Sequence, residues 1–178
     1  MRLNNLPVAF KLWGVVLGSM ASMLTLAVIL TVLAEQRATA VNQKTEQADQ
    51  RIATTMRWKA LTELTVERIV VSAMSSEAAL VNEMSQLGSK GIAGVTELQK
   101  QVEAMAETDQ EKAQLTKVGA NRALALAAVA KINQAREAGD ILQAMDVATN
   151  QLRPAVAVYV QSQEDLLQLQ ERMRNEMR

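Results

Sequence analysis

The apolar positions of the chain form one unbroken stretch near the start and periodic stripes after it. Residues 12–34 are 23 positions without a charge, bounded by Lys11 on one side and by Glu35 and Arg37 on the other. A helix of that length spans about 34 Å, enough for the roughly 30 Å hydrocarbon core of a bilayer. A cleaved signal peptide is the alternative, but its apolar region typically has only about 7 to 15 residues. The stretch therefore predicts a transmembrane helix over residues 12–34.

The charges that flank this stretch predict its orientation. Arg2 and Lys11 precede it, and basic residues favour the cytoplasmic side of a membrane. We therefore expect residues 1–11 to form a short cytoplasmic segment and residues 35–178 to lie on the opposite side.

The rest of the chain divides into four amphipathic helical segments. In each segment apolar residues recur every three or four positions, as on one face of a helix. Candidate breaks occur at Ser75 and Ser76, at residues 107–109 and at residues 138–140. They give helices over about 35–75, 77–107, 109–138 and 140–178. Four such stripes need one shared core, so the sequence predicts an all-α antiparallel up-down four-helix bundle after the membrane helix.

Local signals support two of these breaks. Thr108 is a candidate N-cap, and Glu111 three residues later completes a capping box. Asp140 is a second candidate N-cap, and Gly139 before it is a candidate helix terminator. A run of Gly88, Gly91 and Gly94 weakens the second helix and leaves open that it belongs to a connection.

Composition and charge exclude several classes of function. The 19 basic and 19 acidic residues balance, and only four residues are Phe, Trp or Tyr, so the chain lacks the basic, aromatic surface of a nucleic-acid-binding protein. Histidine and cysteine are both absent, which removes thiolate nucleophiles, histidine proton shuttles and most zinc or copper sites. No nucleophile–base pair, glycine-rich phosphate loop or cluster of metal ligands is present. We expect no enzyme activity, no metal and no cofactor.

Two arginines interrupt an apolar stripe of the first segment. Arg57 and Arg68 share a face with Leu61, Leu64 and Val71 at spacings of four and three. Their guanidinium groups match a carboxylate bidentately, which makes both residues candidates for ligand binding. The alternative is that both side chains extend away from the seam and pair with Glu63, Glu67 or another helix.

Further candidates lie beside that stripe and on the third segment. Trp58, Thr62 and Thr65 form a neighbouring face with one aromatic ring and two hydroxyl groups, and ordinary packing is the alternative there. Arg122 falls between Val118 and Ala125 on the core stripe of the third segment. A ligand contact and a salt bridge to Glu103 or Glu107 both explain it.

The fourth segment contains a proline about thirteen residues inside a helical pattern. Pro154 follows Arg153 and has no N–H, so the carbonyl of Asn150 loses its intrahelical partner and the helix bends. A freed carbonyl accepts a hydrogen bond from an ammonium or hydroxyl ligand, or from water. Tyr159, the only tyrosine, lies five residues further on. Asn150, Arg153 and Tyr159 therefore complete the set of candidate ligand-binding residues.

The order of these features resembles the ligand-binding domain of methyl-accepting chemotaxis proteins of the aspartate and serine receptor type. The resemblance covers the N-terminal apolar stretch and then RWKALTELTVER, VTELQKQVEAM, EKAQLTKVGANRA and QLRPAVAVYV, one in each segment. It implies a sensor in the bacterial inner membrane, with residues 35–178 forming a periplasmic domain. It also implies a homodimer with a ligand pocket at its interface, and a C-terminal part with a second span and a signalling hairpin that acts on a cytoplasmic histidine kinase through a coupling protein.

The resemblance extends to some of the binding residues. Arg57 matches the first helix-one arginine of amino-acid-binding members, whereas Thr62 and Val66 stand where those members have two more. Arg122 matches the first position of an R-x-x-Y-x-x-x-R pattern of carboxylate receptors, in which Ala125 and Val129 replace the other two. The resemblance therefore implies a small ligand, an organic acid or an amino acid. Sensing through a separate binding protein is the alternative.

Two other functions remain open from the sequence. The same sensory bundle also fits a histidine kinase or a cyclic-dinucleotide enzyme. A membrane-tethered structural coiled coil without a ligand is the alternative from another class. It predicts that apolar replacements of Arg57, Arg68 and Arg122 leave function intact and raise stability.

Overall fold

The computed structural model describes residues 8–176, with side chains at residues 18–20, 22–29, 31 and 43–176. Its elements are helices α1 (Val8–Met74), α2 (Ala78–Met105), α3 (Asp109–Glu137) and α4 (Ile141–Val147), a π-helical turn (Ala148–Leu152) and helix α5 (Arg153–Glu176). All regular elements of the described residues are helices, which confirms the predicted all-α class. Most of the predicted 1–11 segment lies outside the described residues.

The chain divides into two units, residues 1–44 and residues 45–178. In the first unit the described apolar side chains between residues 18 and 31 are exposed, with Met23 at 77% and Leu24 at 66%. Among the described residues, no helix meets the length and apolarity needed to cross a membrane.

The second unit is a bundle in which successive helices run antiparallel. Gly88 and Gly94 of α2 lie against Ile69 and Leu61 of α1, so the residue numbers rise along one helix as they fall along the other. The same reversal relates α5 to α1, because Arg174 pairs with Asp49 and Tyr159 with Trp58. One core cluster contains residues from the four long helices α1, α2, α3 and α5: Trp58, Val95, Val102, Leu115, Val118, Tyr159 and Leu166.

The predicted connections lie where the capping signals placed them. Thr108 accepts a hydrogen bond from the Glu111 N–H, and the Glu111 side chain accepts from the Thr108 N–H, so the capping box is confirmed. Asp140 caps α4 by accepting from the Gln143 N–H. Gly139 ends α3 at a φ of 76°, a left-handed conformation that glycine adopts without steric cost. The glycines of the second helix lie inside α2 and not in a connection.

The face of α1 that enters the core differs from the predicted seam. Trp58, Thr62 and Thr65 are buried, whereas Leu64 and Val71 are 49% and 40% exposed. The stripe that contains Arg57 therefore lies at the outer edge of the bundle, and the stripe beside it forms the core. Periodicity alone did not separate the two, because threonine is amphipathic and both stripes repeat every three or four residues.

The π-helical turn explains how the fourth helix accommodates Pro154. The Arg153 N–H donates to the carbonyl of Ala148, five residues back instead of four. Pro154 follows this widened turn directly, as the second residue of α5. The predicted disturbance of the helix is thus a π turn.

Candidate ligand-binding site

The structure divides the nine predicted site residues between the inside and the outside of the bundle. Inside lie four buried residues and one half-buried residue: Trp58, Thr62, Thr65, Tyr159 and the half-buried Arg122. On the outside lie three exposed residues and one half-buried residue: Arg57, Asn150, Arg153 and the half-buried Arg68. The predicted set therefore does not form a single pocket within one chain.

The aromatic pair at the centre of the bundle joins α1 to α5. The Trp58 Nε1–H donates to the Tyr159 hydroxyl oxygen over 3.1 Å, and the rings meet edge to face with centroids 6.3 Å apart. Burial raises the pKa of Tyr159, so the phenol stays neutral throughout the physiological range. This hydrogen bond satisfies an indole N–H that is fully buried.

A polar residue that the sequence analysis missed extends this cluster. The Gln163 side chain is buried, and its Nε2 donates to the Thr62 hydroxyl over 3.2 Å. The Thr62 hydroxyl in turn donates to the Trp58 carbonyl over 2.9 Å. Gln163 falls in the core stripe of α5 between Tyr159 and Leu166, and a glutamine at that spacing was the available signal.

Arg122 reaches the same region from α3, with neutral partners. Its Nη1 donates to the Gln99 side-chain oxygen over 2.6 Å, and its Nη2 donates to the Thr96 hydroxyl over 2.5 Å. The expected alternative of a salt bridge to Glu103 or Glu107 is wrong. Arg122 thus ties α3 to α2 through hydrogen bonds to neutral side chains.

A small cavity lies beside these interior residues. Its volume is about 40 Å³, and its wall includes Thr62, Thr65, Arg122 and Tyr159 together with aliphatic side chains. Only nonpolar surface faces this space. This volume is far below the 150 Å³ or so that holds benzene. An organic acid therefore has no room inside the bundle at this point.

No protein-family model matches the chain, and no curated protein matches it. The chemistry of the side chains themselves is therefore the basis for assigning a function.

The outer arginines are the groups best suited to an anionic ligand. Arg57, Arg68 and Arg153 form no ion pair or side-chain hydrogen bond with any residue in the described part of the chain. Ile69 and Leu152 line the same small cavity, so their neighbours Arg68 and Arg153 lie at about the same level of the bundle. Arg57 lies eleven residues before Arg68, or about 16 Å along the helix. Of the three arginines, Arg68 and Arg153 are therefore the two that share a level.

Asn150 does not join these arginines through its side chain. Its amide donates to the Asp146 carboxylate over 2.7 Å, one helical turn earlier. No group of three metal-binding side chains occurs among the described residues. The guanidinium groups of Arg57, Arg68 and Arg153 are suited to an anion such as a carboxylate.

Proposed function

We propose that the chain is the sensory part of a membrane-anchored bacterial chemoreceptor that binds a small organic carboxylate or amino acid. The observation that carries the proposal is the pairing of α1 with α5. Polar contacts join these antiparallel helices at several levels, from Arg174–Asp49 through Lys59–Glu164 to Tyr159–Trp58. A helix held to its neighbour by such contacts transmits a displacement along its length.

The proposed membrane anchor is residues 12–34, with the bundle in the periplasm and residues 1–11 in the cytoplasm. Its support is the run of 23 uncharged residues in the sequence. The high exposure of Met23 and Leu24 fits contact with lipid.

The proposed assembly is a homodimer about the exposed face of α1. Ala60, Leu64, Val71 and Met74 follow one another at spacings of four, seven and three, and the last three are 49%, 40% and 43% exposed. Apolar residues at heptad spacing on an outer helix face are typical of a coiled-coil contact. A second copy of the chain supplies the matching stripe by symmetry.

The proposed ligand site lies at the edge of that dimer. In a parallel pair of α1 helices, each residue lies at the same height as its counterpart in the second copy. Arg68 and Arg153 of both copies would then border one crevice. Unpaired guanidinium groups of like charge favour an anion between them, and arginine binds a carboxylate in a bidentate geometry. Ligand binding then favours one arrangement of α5 relative to α1, and the C-terminal signalling part carries the change to a histidine kinase and coupling protein.

The test is thermal unfolding of the full chain in mild detergent against a panel of organic acids that carry no amino group. At least one compound is expected to raise Tm in a saturable manner, because a ligand that binds only the folded state stabilises it. Arg68→Gln is expected to remove the shift, and Arg172→Gln, which alters an exposed arginine of α5 near the far end of the helix, is expected to keep it.

The same measurement separates the alternatives. A structural tether predicts no shift with any compound. A shift that Arg68→Gln and Arg153→Gln both leave unchanged would place the ligand elsewhere and contradict the proposed site.

A further inference from the structure

A larger cavity lies at the opposite end of the bundle from the Arg174–Asp49 contact. Its volume is about 230 Å³, it is partly open to solvent, and residues of α1, α2 and α3 line it near the α1–α2 connection. None of the nine predicted site residues lines it. Since an apolar cavity of about 150 Å³ accommodates benzene, this space has room for a ligand of about eight or nine non-hydrogen atoms.

Small side chains on α2 create this space. Ser85, Gly88 and Ser89 line it from α2, where the Ser85 hydroxyl lies 2.6 Å from that of Ser72 on α1 and a Cβ added at Gly88 would lie 3.0 Å from Ile69. Ile69 and Ile132 supply apolar wall. The combination of small polar residues and aliphatic carbon leaves room for a compact, polar molecule.

Arg136 provides a fixed positive charge at the wall. Its Nη1 donates to the carbonyl of Ser75 over 2.9 Å and to that of Ala73 over 3.4 Å, just beyond and at the C-terminal end of α1. These bonds hold the guanidinium in place. A guanidinium has five N–H donors, and its Nε and Nη2 groups have no partner among the described residues.

Glu137 provides a negative charge at the same cavity. It lines the space next to Arg136, is exposed, and has no ion pair with any side chain the structure describes. Asn133, one turn earlier on α3, also lines the cavity and has no hydrogen bond from its side chain within the described residues. The wall therefore offers an unpaired acceptor carboxylate, free guanidinium donors and an amide.

We propose that this cavity binds a small zwitterion of the α-amino-acid class within a single protomer, with its carboxylate on Arg136 and its ammonium on Glu137. A simple carboxylate would meet the Glu137 charge, and a simple amine would meet that of Arg136, so a molecule carrying both charges fits best. The site uses different residues from those of the proposed chemoreceptor function and needs no second copy of the chain.

The test is thermal unfolding of the full chain in mild detergent with glycine, alanine or serine. Propionate and ethylamine are the matched probes, because each lacks one of the two charges of alanine. At least one amino acid is expected to raise Tm in a saturable manner, and equal concentrations of propionate or ethylamine are expected to leave Tm unchanged.

Variants assign that shift to the cavity. Glu137→Gln is expected to weaken binding at least tenfold, whereas Glu97→Gln, an exposed glutamate of α2 outside the cavity, is expected to keep it. Arg68→Gln is also expected to keep it, which separates this site from the outer arginines. The proposal is overturned if none of the three amino acids shifts Tm, if propionate or ethylamine alone is as effective, or if Glu137→Gln retains the full effect.

Discussion

Of the three glycines of α2, Gly91 lies closest to a side chain of α1. A Cβ on this residue would overlap the side chain of Thr65, which is buried and donates a hydrogen bond to the Leu61 carbonyl. Gly91→Ala is therefore expected to destabilise the fold by about 1–3 kcal/mol, the usual cost of overpacking. The free energy of unfolding in urea measures it.

Gly119 of α3 is the matched control for this substitution. A Cβ there has no heavy atom within 4 Å, and the residue lies inside a helix. Gly119→Ala is expected to stabilise by about 0.5–1 kcal/mol, because glycine is the poorer helix former. Equal effects at both positions would contradict the close approach at Gly91.

Tyr159 gives a second prediction at the scale of single residues. Tyr159→Phe leaves the buried Trp58 N–H without its acceptor, so we expect a loss of about 1–3 kcal/mol in the free energy of unfolding. A smaller loss than about 0.5 kcal/mol, outside the range for an unpaired buried donor, would indicate that the indole finds another acceptor.

The same residue predicts a dependence on alkaline pH. Burial raises the pKa of Tyr159 above its ordinary value of 10.0, so the folded state holds the phenol proton more tightly than the unfolded state. Its contribution to stability is complete below pH 10.0 and is lost as the pH rises from there through the folded-state pKa. Because the chain has one tyrosine, phenolate absorbance reports this group alone. A midpoint at or below the ordinary value would contradict the burial.

Single residues also mark the limit of prediction from sequence. Trp58 and Tyr159 are the chain's aromatic residues outside the N-terminal stretch, and the structure places them in contact. Arg57 and Arg68 were placed on a seam, but the adjacent face with Thr62 and Thr65 is the buried one. Which of two adjacent stripes enters a core depends on the partner helices, and a single helix pattern does not contain that information.

At the scale of elements, the α2–α3 connection is held by a buried charge cluster. Arg51 of α1 is 6% exposed, and its Nη1 lies 3.2 Å from Glu107 and 3.7 Å from Glu111. It also donates to the Met105 carbonyl over 3.3 Å. Arg51→Met is expected to destabilise by about 3–5 kcal/mol, because it leaves the Glu111 carboxylate buried without a positive partner.

Two variants test that cluster by urea unfolding. Arg57→Met alters an exposed arginine six residues away and is expected to change stability by no more than about 0.5 kcal/mol. Arg51→Met with Glu111→Gln removes both charges and is expected to recover part of the loss. If the double variant is no more stable than Arg51→Met alone, the buried carboxylate charge is not the cause.

Elements were predicted better than their internal detail. Thr108, Glu111, Gly139 and Asp140 act through local hydrogen bonds and backbone conformation, so short sequence signals located the connections. The sequence predicted a disturbed helix at Pro154 but not the π turn before it, because a proline does not specify how the preceding turn adapts.

At the scale of the whole molecule, the proposed dimer makes a direct prediction. Leu64→Glu places a charge on the exposed stripe of α1 and is expected to weaken dimerisation at least tenfold, since like charges then face each other. Leu124→Glu is the control, because Leu124 is 62% exposed on α3 away from that stripe. Sedimentation of the full chain in detergent measures the association. Equal behaviour of both variants, or a monomeric unaltered chain, would contradict the dimer.

The large cavity is a property of the whole bundle that no pattern predicted. Its polar residues come from three helices, among them Ser72, Ser85 and Arg136, which are far apart in sequence. In the sequence, each of them has the polar character typical of a helix surface. Only the packing of α1, α2 and α3 brings them to one space.

Signalling in a hybrid receptor tests the central claim most directly. Residues 1–178 are joined to the second span and cytoplasmic part of a chemoreceptor, and kinase activity is measured in membranes with the kinase and coupling protein. An organic acid that raises Tm is expected to change kinase activity in a saturable manner, and Arg68→Gln is expected to remove that response while the basal activity remains. If the hybrid activates the kinase but no binding compound changes its activity, the chain is not the sensor proposed.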